Sequence, residues 1–171
     1  MLLRVEDTDT ERNQPELTDE ILRSIEWLGL GWDGDPVHQS SLRERHVAAA
    51  DQLVASGQAF WSGWQPAQGK GPPERRATDR DAGLGPGEGR ALRFRVPDGG
   101  GAVAFTDLIR GEVSVDHDDI EDFVLVRANG TPMFLLANAV DDADMGITHV
   151  LRGEEHVNGT PKYLLIQDAL G

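Results

Sequence analysis

Gly146-Ile147-Thr148-His149-Val150-Leu151 runs directly into Arg152-Gly153-Glu154-Glu155-His156, and Thr160-Pro161-Lys162 opens a new apolar stretch soon after. The first six residues are largely apolar and rich in β-branched side chains, which predicts a buried strand over residues 146–151. Proline suits the first turn of a helix, so Thr160-Pro161 predicts a helix start, with Tyr163, Leu164 and Leu165 carrying it to Gly171. A strand that ends in a polar cluster and is followed by a helix is the building unit of α/β sheets. Ligands of such sheets bind beyond the carboxyl ends of the strands.

The other end of the sequence repeats the arrangement. Leu2, Leu3 and Val5 lead into the polar run Arg4-Val5-Glu6-Asp7-Thr8-Asp9. Asn13 then offers a cap and Pro15 a first helical position, and Leu17, Ile21, Ile25 and Leu28 recur on one helical face until Gly29. A second helix is predicted over residues 42–56, stopped by Gly57. Residues 62–89 are rich in glycine and proline and read as a long loop or reduced subdomain. Strand signals follow. Leu92, Phe94 and Val96 alternate with Arg93 and Arg95, predicting one buried face and one cationic face. Val113 and Val115 suggest a short strand and residues 123–126 a buried one. Asn129-Gly130 signals a hairpin turn whose second limb is expected at residues 134–137. Helices first, then strands, then a strand and a helix again: this order predicts an α/β sheet interrupted by an inserted α+β unit.

Composition narrows the class. Of 171 residues 39% are apolar, with four Trp and five Phe, enough for one core or for a core with a smaller insert. No apolar run approaches the roughly 18 residues that span a bilayer. The longest, 133–140, is broken by Asn138, and Arg4, Glu6 and Asp7 leave no apolar segment for a signal peptide. The expectation is a soluble, cytoplasmic protein without membrane contact. Cysteine is absent, which excludes disulfides and thiolate metal sites. The net charge of −14 opposes nucleic-acid binding in general. Residues 70–95 nevertheless carry Lys70, Arg75, Arg76, Arg80, Arg90, Arg93 and Arg95 against Glu74, Asp79, Asp81 and Glu88. Such a strip suits a nucleic acid approaching from one side, or is a solvated loop of mixed charge.

The two polar clusters are the chemical candidates. Carboxylates and an arginine beyond strand ends could hold the amine and carboxylate of an amino acid, the arginine through a bidentate fork. Glu6, Asp7 and Asp9 equally suit helix N-termini, where the dipole favours acids, and Asp7-x-Asp9 could ligate a metal. His38, His46, His117, His149 and His156 show no i, i+4 pairing and read as ordinary polar positions. Trp61 and Trp64 read as small-core packing rather than as base-stacking groups.

Several blocks together resemble the glutamyl-tRNA synthetase catalytic core: Arg4 to Asp9, Glu11-Arg12, Trp27-Leu28-Gly29-Leu30-Gly31-Trp32-Asp33, and Arg93-Phe94-Arg95-Val96-Pro97. Asp107-Leu108-Ile109-Arg110-Gly111-Glu112-Val113, Asp122-Phe123-Val124-Leu125, Asn129-Gly130-Thr131-Pro132 and Ala139-Val140-Asp141-Asp142 continue the likeness. Met145-Gly146-Ile147-Thr148-His149-Val150, Arg152 to His156 and Thr160-Pro161-Lys162 complete it. The blocks stand in family order and span nearly the whole chain except about residues 62–90. The resemblance implies a class I, Rossmann-type catalytic core, divided as 1–58 first-half remainder, 59–132 inserted acceptor-stem-binding subdomain and 133–171 second half. It implies ATP and Mg2+, with L-glutamate, ATP and the tRNA acceptor end as partners. Carried over by position, Glu6 meets the substrate amino group, Arg152 pairs with the γ-carboxylate, Asn138 makes a polar substrate contact and Glu155 lies near the nucleotide. Arg93 and Arg95 are the expected tRNA contacts.

Departures from the family pattern are specific. Phe134 stands where the family usually has a substrate-binding tyrosine, and losing one neutral hydrogen bond weakens binding by about 0.5–1.5 kcal/mol. Trp61 to Gln65 occupies the place of a cysteine zinc knuckle, so no zinc is expected. The His-Ile-Gly-His-type and Lys-Met-Ser-Lys-Ser-type ATP motifs belong before Leu2 and after Gly171, so residues 1–171 by themselves are expected to be inactive in glutamate activation. Two other readings stay open on sequence. One is a non-catalytic amino-acid or tRNA-binding module of synthetase descent. The other is a shortened paralogue that glutamylates a modified tRNA base.

Overall fold

The computed structural model describes residues 2–8, 14–65 and 74–171. Asp9, Glu11, Arg12, Asn13 and Lys70 of the reading above lie outside them. The chain divides into two compact units, residues 1–45 and 46–171.

In the first unit β1 (Arg4–Val5) pairs in parallel with β2 (Val37–His38), and α1 (Pro15–Trp27) lies between them in sequence. Val37 N–H donates to the Leu3 carbonyl at 2.8 Å. A parallel pair needs a crossover long enough to return the chain to the same edge, and a helix supplies it. Pro15 sits in the first turn of α1, and Gly29 ends the helix region with φ at +73°, a left-handed conformation open to glycine at no steric cost. The inward stripe differs from the expected one by a residue. Thr18, Leu22 and Ile25 are half-buried, whereas Leu17, Ile21 and Leu28 are 50%, 60% and 62% exposed. Adjacent apolar residues satisfy two helical faces at once, and periodicity cannot choose between them.

The second unit is built around one apolar core. α2 (Arg43–Ala55) ends before Gly57, whose φ is +75°. β3 (Ala59–Ser62), β4 (Ala91–Phe94) and β7 (Val124–Val126) form an antiparallel sheet in the order β3-β4-β7, and β5 (Ala102–Asp107) pairs with β6 (Gly111–Asp116) as a hairpin. α3 (Phe134–Asp144) and α4 (Thr160–Leu170) complete the unit. Leu53 of α2, Leu92 and Phe94 of β4, Leu125 of β7, Leu136 of α3 and Ile166 of α4 are fully buried in one cluster. Each such side chain contributes about 1.5–3 kcal/mol by leaving water. Phe94 stacks on Phe123 with ring centroids 5.1 Å apart. The strands of the antiparallel pairs lie within residues 59–126, and the core draws on α2, α3 and α4 as well.

Two expected strands are otherwise. Residues 134–137 are the first turn of α3. The Asn129-Gly130 turn does form, with Gly130 at φ +79° and Arg127 N–H donating to the Thr131 carbonyl, but its second limb is one bridge, Val126 to Pro132. Proline has no N–H to extend a ladder, and Leu135, Leu136 and Ala137 favour helix. Residues 146–153 carry no regular structure, and Val150 and Leu151 are 52% and 95% exposed. A β-branched run is a strand only where a neighbour pairs with it, and among the described residues none does.

Candidate functional site

α3 and α4 pack side by side, and a chain of polar side chains crosses between them. Asn138 and Asp142 are four residues apart on one face of α3, 8% and 6% exposed. The Tyr163 hydroxyl, on α4, donates to Asp142 Oδ2 at 2.9 Å and accepts from Gln167 Nε2 at 2.9 Å. Gln167 Nε2 also reaches the Ala139 carbonyl at 3.3 Å. Burial, reinforced by the bond to Asp142, raises the Tyr163 pKa above the phenol's ordinary value, so the hydroxyl stays a donor at neutral pH. The Arg152 guanidinium lies over the Tyr163 ring, 5.7 Å from its centroid, and Nη2 donates to Thr160 Oγ1 at 2.7 Å. Arg152, Thr160, Tyr163 and Gln167 are among the polar residues that line a cavity of about 620 Å³, with Asp107 and His149 also on its wall. Phe105 of the β5–β6 hairpin and Ile147 are among its apolar walls. A guanidinium beside a concave, mostly apolar space suits a small carboxylate.

The other expected substrate residues fall in different places. Phe134 opens α3 and is 42% exposed. Glu155 is exposed on a short 3-10 helix, Glu154–Gly159, with His156 Nε2 at 3.8 Å. Glu6 belongs to the first unit, where Arg4 Nη2 lies 3.5 Å from its Oε1. Its neighbour Asp7 is the buried acid of that cluster. Asp7 accepts from Ser40 N–H at 2.8 Å and from the Ser40 hydroxyl at 2.7 Å, and His38 Nδ1 lies at 3.1 Å. Burial pushes this carboxyl up, and the bonds from Ser40 and His38 outweigh it and hold its pKa below the ordinary value. Asp7 thus caps the 3-10 turn Gln39–Leu42, a helix-terminus role for an acid that stands before a different helix. Among the described residues no three His, Asp or Glu side chains gather as a metal site.

The cationic strip is largely spent on the protein itself. Arg93, expected on an open cationic face, is 7% exposed. It donates to the Asp122 and Trp64 carbonyls at 3.1 and 3.0 Å and lies 4.9 Å from the Trp64 ring centre. Burial lowers its pKa while Asp122 pulls it back up. The strand alternates as read, but its second face is covered by residues 62–65, so Arg93 cannot meet a phosphate as it stands. Arg95 is partly exposed, bonded to Asp81 at 2.7 Å over the Phe60 ring. Arg80 is buried between Asp98 and Asp122, and Arg76 bonds Asp98. Trp64 packs with Phe60 and Ala77 in a small core of its own, as expected for packing rather than stacking.

The family profile described as tRNA synthetases class I (E and Q), catalytic domain, matches residues 1–80 and 74–171. The chain belongs to this family. The glutamate–tRNA ligase of Frankia casuarinae is 51% identical over 99% of the chain, and that of Oleidesulfovibrio alaskensis is 45% identical over the same share. The chain spans 37% and 39% of those two proteins, well under half their length. Among solved structures, a glutamate tRNA ligase from Elizabethkingia meningosepticum in complex with its amino acid superposes with a TM-score of 0.83 at 27% identity. The match covers 99% of this chain and 40% of that one. The glutamate-tRNA synthetase of Elizabethkingia anophelis gives 0.84.

Within a class I synthetase catalytic fold of this kind, three features were not anticipated from sequence. Tyr163, Gln167 and Thr160 read on sequence as helix residues, not as the surroundings of Arg152; the i, i+4 spacing of Tyr163 and Gln167 is the one signal that sets them on a shared face. Asp142 was a family block without a partner. His46, read as an ordinary polar position, is 1% exposed and bonded to buried Asp141 at 2.7 Å. Residues 62–65 and 74–82, beside the place where the resemblance implies a zinc knuckle in other members, are held by polar bonds. Ser62 Oγ donates to Asp79 at 2.6 Å, and Gly63 N–H does so at 2.9 Å. Asp122 accepts from Ala77 and Val96 N–H at 3.0 and 3.1 Å.

Proposed function

We propose that these residues supply the glutamate-binding wall and part of the acceptor-end surface of an ATP-dependent glutamate–tRNA ligase working in the cytoplasm. In that reaction the α-carboxylate of L-glutamate attacks the α-phosphorus of ATP, pyrophosphate leaves, and the glutamyl group passes to the terminal adenosine of tRNA. No protein nucleophile is required, so the residues act by orientation and charge. Arg152 pairs with the γ-carboxylate, Asn138 supplies a polar contact, Glu6 receives the amino group and Glu155 lies toward the nucleotide. Phe134 flanks the substrate with a ring that has no hydroxyl. Residues 59–132 form the unit inserted between the two halves of the Rossmann core, and Arg95 is its tRNA-phosphate contact. Mg2+ in such chemistry is held chiefly by ATP phosphates and keeps several waters. Among the described residues no three His, Asp or Glu side chains gather to hold it.

The observation that carries this reading is Arg152. Among the described residues its Nη2 alone has a hydrogen-bond partner, so Nε and Nη1 remain for a bidentate carboxylate beside the cavity. Calorimetry with glutamate tests it. Arg152→Ala removes the one cation from that wall and is expected to weaken binding by at least about 100-fold, in line with about 3–5 kcal/mol for stranding a buried charge. Unchanged affinity would move the glutamate site elsewhere.

A further inference from the structure

The cavity wall holds more than an arginine. Arg152 leaves residues 146–153, a segment with no ladder to stiffen it, so its backbone alone does not fix the guanidinium plane. Two side chains of α4 do. Thr160 takes one nitrogen, and the Tyr163 ring lies under the guanidinium. That ring is 7% exposed and is itself tied at its hydroxyl from both sides, by Asp142 of α3 and Gln167 one turn along α4. A cation held over a locked ring keeps its place, because moving off the π-face loses the attraction. Asp142 lies on the same face of α3 as Asn138, so one rigid chain runs from Asn138's helix to Arg152.

We infer that Tyr163, anchored by Asp142 and Gln167, is a positioning residue that, with Thr160, holds the Arg152 guanidinium in place for a side-chain carboxylate. The inference rests on the assignment of Arg152 to glutamate and adds the support on which its selectivity depends. A fork needs both nitrogens in the plane of the carboxylate. A guanidinium free to swing still attracts an anion but no longer discriminates by geometry.

The experiment is calorimetric titration of the chain with L-glutamate and, separately, with L-glutamine, whose side chain offers an amide in place of the carboxylate. Tyr163→Leu removes the platform and is expected to raise the glutamate Kd about tenfold and to narrow the preference for glutamate over glutamine. Tyr163→Phe keeps the ring and loses the hydroxyl tie, and a smaller rise of about two- to fivefold is expected. If Tyr163→Leu proves unstable, the isosteric Phe variant decides. A glutamate Kd unchanged in Tyr163→Phe, or both ligands weakening by the same factor, overturns the inference and leaves Tyr163 a packing residue. Arg152→Ala, run in parallel, separates the two claims. Loss of glutamate binding there, with Tyr163 variants unaffected, sinks the positioning role alone. Normal affinity in Arg152→Ala, or no measurable binding by the unaltered chain, sinks the assignment of Arg152 itself.

Discussion

Asp7 and His46 make the same physical point from two units. Each is a polar side chain drawn out of water and supplied with a partner far away in sequence, Ser40 for the first and Asp141 for the second. Burying such groups without partners costs more than the bonds return, so each site demands its partner. Asp7 also carries a pH signature. Its carboxyl is held below the ordinary 3.8 in the folded chain, so its contribution is complete above that value and is lost as pH falls through the lower folded value. Asp7→Asn should therefore lower stability at pH 7 by about 1–2 kcal/mol and lower it less at pH 3. Urea titrations of both proteins at the two pH values check this; an equal gap at both would mean the charge is irrelevant.

Among the elements, β4 shows where pattern reading succeeds and where it stops. Alternation of Leu92, Phe94 and Val96 with Arg93 and Arg95 marked the strand and its core face correctly. It could not reveal that Trp64 and Asp122 carbonyls wait on the other face, because those contacts span 29 residues. Arg93→Ala leaves two carbonyls and a ring without their cation and should cost about 2–4 kcal/mol in thermal or urea unfolding. A neutral effect would mean that the guanidinium is not held there in solution. The helices α1, α2 and α4 were legible because proline at their starts (α1, α4) or glycine at their ends punctuates them locally. α3 was not, since a hairpin signal stood directly before it and Leu-Leu-Ala-Asn-Ala-Val suits a buried strand or a buried helix alike. Residues 146–153 failed for the opposite reason: strand propensity was present, and a pairing neighbour was not. Of the candidate site, Arg152 was legible through the resemblance, whereas Tyr163 was hidden in a helix whose apolar pattern explains it without any further role.

At the scale of the molecule, the charge balance changes meaning once partners are counted. The strip at residues 70–95 is net positive, yet Arg76, Arg80 and Arg93 face inward to carboxylates or carbonyls, and Arg95, just beyond β4, stays partly at the surface. Acceptor-stem binding should accordingly be weak and governed by few phosphates. Arg95→Ala is expected to reduce the log–log salt slope by about 0.9, one duplex phosphate contact, with no loss of fold. A slope identical to wild type across a salt series would assign the strip to solvent.

The same inward-turned arginines determine how this region responds to its surroundings. Knuckles pinned by thiolates and metal come apart when a chelator strips the ion or an oxidant takes the sulfur. Here residues 62–65 and 74–82 are pinned by Asp79, Asp98 and Asp122 against hydroxyl, amide and guanidinium donors. Hydrogen bonds from Arg80 and Arg76 hold the Asp98 carboxyl below its ordinary range, so its grip persists through neutral pH and loosens only in strong acid. These pins offer an oxidant no sulfur to take, and loss of the Asp98 charge in acid is what releases Arg76 and Arg80.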